Sequence, residues 1–459
     1  MASRASALAA AAAHLDSGAF EADLARRIAV RSASQDTDSG PALQAYLADE
    51  LVPTLAALGF DSAIHANPAA GSGPLLIARR IEDPARPTVL MYGHGDVIRG
   101  QDAAWTRGAG PWQLSRDGDR LYGRGSADNK GQHSINLAAL ATVLALRGRL
   151  GFNVIWLFET GEETGSPGLA AFCASQREAL KADVLIASDG PRLTASQPTV
   201  FLGSRGVVNF DLALTLRDGA HHSGNWGGLL RNPGTVLASA IASLVDARGR
   251  ILIETLRPPP IPANVRAALA GLAVGGGDND PEVDADWGEP GLTAAERVFG
   301  WNTLEVLAFR TGNPEHPVNA IPASARATLH LRFVVGTDVS RLADQVQAHL
   351  AAQGFPAFEI TVGEVMDATR LDPDDPWVHF ALASIERSTG APPVLLPNLG
   401  GSLPNDVFAG ILGLPTVWIP HSYPGCQQHA PDEHLLRPVA RQALQLMAGL
   451  FWDLGDTRP

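Results

Sequence analysis

A mainly parallel α/β sheet flanked by helices, with an α+β ferredoxin-like βαββαβ domain inserted into it, is the fold that this 459-residue sequence predicts. Three observations point to it. From Leu75 onward short apolar runs alternate with helical patterns, as strands and crossover helices do. Several of those runs stop abruptly at polar residues flanked by glycine. Near Gly203 the rhythm changes to strand, helix, long insertion, strand, strand, helix, strand, and from Asp375 the first rhythm resumes.

The elements follow in order. Residues 1–15 are rich in alanine but lack the strongly apolar centre of a signal peptide, and His14, Asp16, Glu21 and Asp23 follow at once, so an amphipathic first helix is expected. Residues 88–92, 153–158 and 182–187 are apolar strands. Between the first two, 134–146 is a helix with apolar positions on most faces, which suits packing against a sheet. In the changed region 208–216 alternates as a half-buried strand, and 233–245 is a helix with Pro233 in its first turn. Residues 304–309 and 325–335 are strands, 338–352 is a helix stopping at Gly354, and 358–363 completes the set. The segment 256–300 holds Pro258, Pro259, Pro260, Pro262 and three glycines from Gly275, and is too long for a plain connection. A last strand at 416–419 and a closing helix at 438–451 end the chain, without an internal repeat. The expected division is 1–204 and 369–459 as two parts of one domain, with 205–368 as a separate domain between them.

Hydrophobic residues make up 45% and charged residues 18%, enough apolar material for a large interior. The net charge of −13 repels phosphate backbones, and no run of Lys and Arg relieves it, so nucleic acid is not an expected partner. No apolar stretch is long enough to span a bilayer, so no membrane association is expected either. Cys173 and Cys426 sit in no metal-type or redox-type spacing and read as free thiols of a reducing, cytoplasmic setting.

In open α/β sheets ligands bind beyond the carboxyl ends of strands, so polar residues just after the apolar runs are the candidates. His94 and Asp96 lie two apart after 88–92, a spacing that lets a carboxylate orient an imidazole whose other nitrogen takes a metal. Leu121 to Gly131 is a glycine-laced turn that delivers Asp128 before a helix, where the residue serves either as a ligand or as a helix cap. It does not fit a dinucleotide fingerprint, because Asp128 stands where the third glycine belongs. Glu162 and Glu163 follow 153–158, and two adjacent carboxylates repel in a low-dielectric pocket unless a cation joins them. Asp189 follows 182–187, and His429 lies beyond the last strand. Two histidines and three carboxylates, without thiolates, suit zinc, or manganese and cobalt, in a pair that shares a bridging carboxylate.

This ordered set resembles the aminoacylase, glutamate carboxypeptidase and carnosinase family of co-catalytic zinc peptidases, and is most similar to its carnosinase-like dipeptidase branch. The resemblance implies two divalent ions, most readily Zn2+, held by His94, Asp128, Glu163, Asp189 and His429. Asp128 is the implied bridge, Asp96 the implied orienting residue and Glu162 the implied general base. Aspartate at 189 goes with dipeptidases and aminopeptidases in this family, which implies hydrolysis of dipeptides or similar small peptides. The alternative of the same fold is an N-acyl amino acid deacylase or carboxypeptidase. The inserted domain is similar to the family's lid and implies a homodimer in which His222, in His222-Ser223-Gly224, acts on the oxyanion in the partner's site. Asn319, Arg332, Gly401 and Ser402 match stretches that hold the substrate, with Arg332 as the implied carboxylate clamp. Two stretches depart from the family pattern: the 256–300 insertion, which leaves substrate size open, and Pro431-Asp432-Glu433, where carnosinases usually carry asparagine before the glutamate.

Overall fold

The computed structural model describes residues 2–275 and 281–456. The chain forms two compact units. Unit 1 comprises Met1–Gly203, Leu371–Pro397 and Leu403–Pro459, and unit 2 comprises Ser204–Arg370 and Asn398–Ser402.

Along the chain the principal strands are β1 Asp61–His65, β2 Leu75–Arg80, β3 Thr88–His94, β4 Asn153–Glu159, β5 Val184–Ala187 and β6 Thr199–Phe201. Then come β7 Gly206–Thr215, β8 Thr303–Thr311, β9 Ser324–Phe333 and β10 Glu359–Met366. Last are β11 Val394–Leu396 and β12 Thr416–Trp418. The helices that matter most are α1 Arg4–Asp16, α2 Lys130–Arg147, α3 Pro233–Leu244, α4 Leu342–Ala352, α5 Pro376–Thr389 and α6 Arg437–Asp456.

Unit 1 is built on an eight-stranded sheet of order β1-β2-β4-β3-β5-β12-β6-β11. Its centre is parallel: β3 runs with β4 and β5, and β12 with β5. At one edge β1, β2 and β4 pair antiparallel. β4 is buried along its whole length and β3 from its second residue on, and both read as continuous apolar runs because both sheet faces are covered. Helix α6 packs against α1, α2 and α5, and together with the sheet they enclose the main core. His94 lies opposite Glu159 in the β3–β4 register, so the two strands end level with each other.

Unit 2 is an antiparallel sheet of order β8-β9-β7-β10, the βαββαβ arrangement the sequence predicts. Alternate residues of β7 and β9, among them Phe210, Leu212, Leu329 and Leu331, form a second core with α3 and α4. The opposite sheet face carries Asp211, Arg326, His330 and Arg332.

Two helices begin elsewhere than expected. α2 starts at Lys130 rather than 134, because its polar first turn is buried by hydrogen bonds instead of by apolar packing. α4 starts at Leu342 rather than 338, because the Asp338 carboxylate accepts from the main-chain N–H and the hydroxyl of Ser340 and forms a local turn. The 256–300 segment contains the short helices Ala263–Leu269 and Ala294–Phe299, the second opened by a Thr293–Glu296 capping box. Its Gly276 and Gly277 lie outside the described residues.

Candidate metal centre

β3, β4 and β5 each hand over to a turn that bears titratable groups. His94, the last residue of β3, is fully buried. Its Nε2 lies 2.9 Å from Asp128 Oδ1, 3.6 Å from Asp189 Oδ2 and 4.0 Å from Glu162 Oε2. Its Nδ1 lies 3.0 Å from the main-chain oxygen of Asp96 and 3.4 Å from the Asp96 carboxylate. An imidazole that donates Nδ1–H to a carbonyl turns the Nε2 lone pair towards a metal.

Asp96 has a further task that its spacing from His94 does not reveal. Its two carboxylate oxygens accept the main-chain N–H groups of Glu162 at 3.2 Å and of Glu163 at 3.1 Å. One buried carboxylate therefore sets both the histidine and the two-glutamate turn.

Asp128 stands between the two histidines. Its Oδ2 lies 3.2 Å from His429 Nε2 and accepts from Gln428 Nε2 at 2.6 Å. Asn129, not Asp128, occupies the cap position of α2, and it makes no side-chain capping bond, so the capping role for Asp128 is not observed. The same His429 Nε2 lies 3.0 Å from Glu163 Oε2. Ligand atoms of His94, Asp128 and Glu163 all fall within 4.8 Å of one another. Asp189 completes the group: its Oδ1 accepts from Gly190 N–H at 2.6 Å, while its buried Oδ2 has no hydrogen-bond partner.

The electrostatics explain why such a cluster calls for cations. Burial pushes Glu162 well above the usual carboxylate range, with Asp189, Asp128 and Glu163 adding to the effect against His94. Burial, reinforced by Asp128, raises Glu163 to about 7 and Asp189 to about 6. Asp128 goes the other way: burial opposes its charge, but hydrogen bonds from His429 and His94 hold it well below the ordinary value. His429 is raised to about 11 by its hydrogen bonds to Asp128 and Glu163. His94 is also raised, its carboxylate neighbours overcoming the cost of burial. The side chains by themselves thus need protons to coexist, and divalent cations would replace those protons. The orphaned Asp189 oxygen and the all-nitrogen-and-oxygen donor set fit the same group.

Two supporting carboxylates escape sequence reasoning. Glu433 is buried, and its Oε1 accepts from the N–H groups of Ala127 at 2.9 Å and Asp128 at 3.0 Å. Its Oε2 accepts from Gly125 N–H at 3.0 Å and Arg124 Nη1 at 2.7 Å. Glu159, at the end of β4, accepts from the Tyr92 and Ser166 hydroxyls at 2.7 and 2.9 Å. The Pro431-Asp432-Glu433 departure was the only sequence signal for the first; the second had none.

In unit 2, Arg332 Nη1 donates to Ser402 Oγ at 2.8 Å, and Gly401 lies in the same loop. The main-chain oxygen of Asn319 accepts from Ser223 N–H at 2.9 Å, beside the pairing of His222 with Ala320. His222 is exposed, and its Nδ1 accepts from Gly224 N–H at 3.1 Å, which leaves the ring proton on Nε2 as a donor.

Comparison with known proteins places this geometry. The profile described as Peptidase family M20/M25/M40 matches residues 90–453. A Beta-Ala-His dipeptidase of Mus musculus is 36% identical over 404 residues, which are 83% of this chain and 80% of that protein. A Cysteinylglycine-S-conjugate dipeptidase of Corynebacterium striatum is 28% identical over 333 residues, 69% of this chain and 70% of its own. The crystal structure of an M20 family metallo-carboxypeptidase, Sso-CP2 from Sulfolobus solfataricus, aligns with a TM-score of 0.79 at 25% identity, covering 95% of this chain and 99% of that one. The matched span contains every residue of the cluster, and the chain belongs to peptidase family M20/M25/M40.

Proposed function

We propose that the chain hydrolyses the amide bond of dipeptides or similar small peptides with the help of two divalent ions, most readily Zn2+, with Mn2+ or Co2+ as alternatives. The observation that carries this reading is the convergence of His94, Asp128 and Glu163, with His429, Asp189 and Glu162 around them. His94, Asp128 and Asp189 would hold one ion, and Asp128, Glu163 and His429 the other. Such a pair of ions, when bound, lowers the pKa of a water between them and polarises the scissile carbonyl.

Glu162 serves as general base. Its carboxylate takes a proton from the attacking water as the new O–C bond forms, then gives it to the amine nitrogen as the C–N bond breaks. Asp96, by holding the N–H groups of both glutamates, fixes the base relative to the ligand Glu163. Arg332 and Ser402, together with Gly401 and Asn319, hold the substrate carboxylate.

The reading extends to a homodimer in which residues 205–368 form the lid and dimerisation domain. Its support is β8, an edge strand that exposes Val306, Leu307 and Phe309. His222 then reaches the partner's site and donates Nε2–H to the developing oxyanion, a contact that contributes ~3 kcal/mol. A cytoplasmic setting accords with two buried, unbridged cysteines. Among the described residues no helix is long and apolar enough to cross a membrane.

The test compares free dipeptides with their N-acetylated forms on protein reconstituted with Zn2+, Mn2+ or Co2+. Glu162→Gln should abolish turnover and leave the metal content of the purified protein unchanged. The Sulfolobus relative is a metallo-carboxypeptidase, which favours the second reading, deacylase or carboxypeptidase, and preference for the blocked substrates would replace the first reading with it.

A further inference from the structure

Unit 2 contains a cavity of about 490 Å3 between its open sheet face and the 256–300 insertion. Arg205 and Arg332 line one side, Val283, Trp287, Val298 and Trp301 are apolar walls, and Asp284, Glu289 and Glu305 also border the cavity, Glu289 being paired with Arg257 at 2.6 Å. The volume is that of a small-molecule site.

One of the two arginines is incompletely satisfied. Arg205 is only 8% exposed; its Nε donates to the Gly400 oxygen at 2.9 Å, but its buried Nη1 has no partner. Ser402 lies between the pair, accepting from Arg332 and donating to the main-chain oxygen of Arg205 at 2.7 Å. Burial lowers Arg205 to about 10, and the neighbouring Arg332 charge adds to the effect. Among the described residues no carboxylate is within ion-pair distance of either guanidinium; Glu305 acts on Arg205 only from farther away. Two like charges beside each other in a partly dry pocket are stabilised by an anion.

The apolar wall is fixed in place although it is exposed. Trp287 is 48% exposed and lies on Gly249, where an added Cβ would meet the indole at 2.6 Å. Arg297 holds the wall's main chain by donating to the oxygens of Trp287 and Glu289. Val283, 57% exposed, extends the same surface.

We propose that Arg205 is a second carboxylate-binding residue beside Arg332, and that the Trp287 wall receives a bulky apolar side chain on the residue that bears this carboxylate. The preferred substrates are then dipeptides that end in a large apolar or aromatic residue. The inference rests on the peptidase reading above and deepens it.

The experiment measures KM and kcat of the full, zinc-reconstituted chain on Ala-Phe, Ala-Gly and their C-terminal amides. Ala-Phe should be favoured over Ala-Gly by about 10-fold or more in kcat/KM, since even one methylene in an apolar pocket is worth about 10- to 200-fold. Trp287→Ala should collapse that ratio towards one. Arg205→Lys should shrink the KM difference between free acid and amide, with folding checked by its thermal midpoint. Calorimetric binding of both dipeptides to the Glu162→Gln protein gives a readout independent of turnover. If the wild type cleaves no dipeptide, the peptidase reading falls, and the calorimetry still decides the pocket. If dipeptides are cleaved without preference for Ala-Phe, or if Trp287→Ala keeps the ratio, the pocket assignment is overturned. An acid-to-amide difference that survives in Arg205→Lys removes Arg205 from the carboxylate site.

Discussion

Replacing Glu433 by alanine tests what keeps Asp128 in place. The substitution removes the acceptor of three main-chain N–H groups, those of Gly125, Ala127 and Asp128, and of the buried Arg124 guanidinium. A buried donor left unpaired costs ~1–3 kcal/mol, and a buried charge stripped of its partner ~3–5 kcal/mol. The four losses share one cavity and do not add, so the expected destabilisation is ~3–5 kcal/mol in total. Arg124 already has Nε and Nη2 without hydrogen-bond partners and rests over the Trp105 ring, so it has little to turn to. Glu433→Gln keeps the shape and one acceptor oxygen but points amide hydrogens at donors, and should cost ~1–3 kcal/mol. Urea unfolding followed by tryptophan fluorescence reads the stability, and zinc content after dialysis at fixed free zinc reads the site. Both should fall in the order wild type, Gln, Ala. Unfolding of the Ala variant at the wild-type urea midpoint would refute the reasoning, as would full zinc retention in a destabilised protein.

Other outcomes follow from the same structure. Gly131→Ala would set a Cβ 1.8 Å from the Ser126 carbonyl oxygen, so a loss of ~1–3 kcal/mol or more and a lowered thermal midpoint are expected. Asp453 accepts from Arg4, Ser384 and Arg387 at 2.9, 2.6 and 2.8 Å; burial opposes its charge, but these partners bring its pKa below 3.8. Its stabilisation is therefore complete above about pH 3.8 and lost as the pH falls through the lower folded value. Asp453→Asn should be less stable by ~1.5–3 kcal/mol at pH 7, with the gap to wild type closing below pH 3.8, as thermal midpoints across the range would record. If His222 acts in trans as proposed, co-expressed His222→Ala and Glu162→Gln chains should regain activity that neither has alone, because a mixed dimer would then contain one intact site. Mixed dimers without activity would rule out action in trans.

Much of the cluster was legible because a polar group at or just beyond a strand end interrupts an apolar run. His94 and Glu162 stand out for that reason. Groups that act through main-chain N–H are harder to see: Glu433 serves a loop some three hundred positions earlier, and no local pattern links the two. The first turn of α2 shows the same limit. Lys130 Nζ donates to the Arg27 and Val30 oxygens, and His133 is paired with Tyr46 and Asn129, so these residues are buried without any apolar periodicity to announce it. Sheet order was also hidden, since β12 comes from the far end of the chain to lie between β5 and β6. Arg205 has no signature in the sequence, because a single arginine after an apolar run is ordinary until its unpaired nitrogen is seen in three dimensions.

The short stretch Asn398–Ser402 joins unit 2 although both of its flanks belong to unit 1. It supplies the Gly400 oxygen to Arg205 and the Ser402 hydroxyl to Arg332, and the Asn398 amide bonds the Thr369 oxygen at 2.7 Å. A chimaera that grafts only the continuous segment 204–370 of this chain into a relative would therefore import both guanidiniums yet keep the recipient's own loop in place of Asn398–Ser402. Moving the arginine pair together with its hydrogen-bond partners calls for two cassettes exchanged at once, one long and one very short.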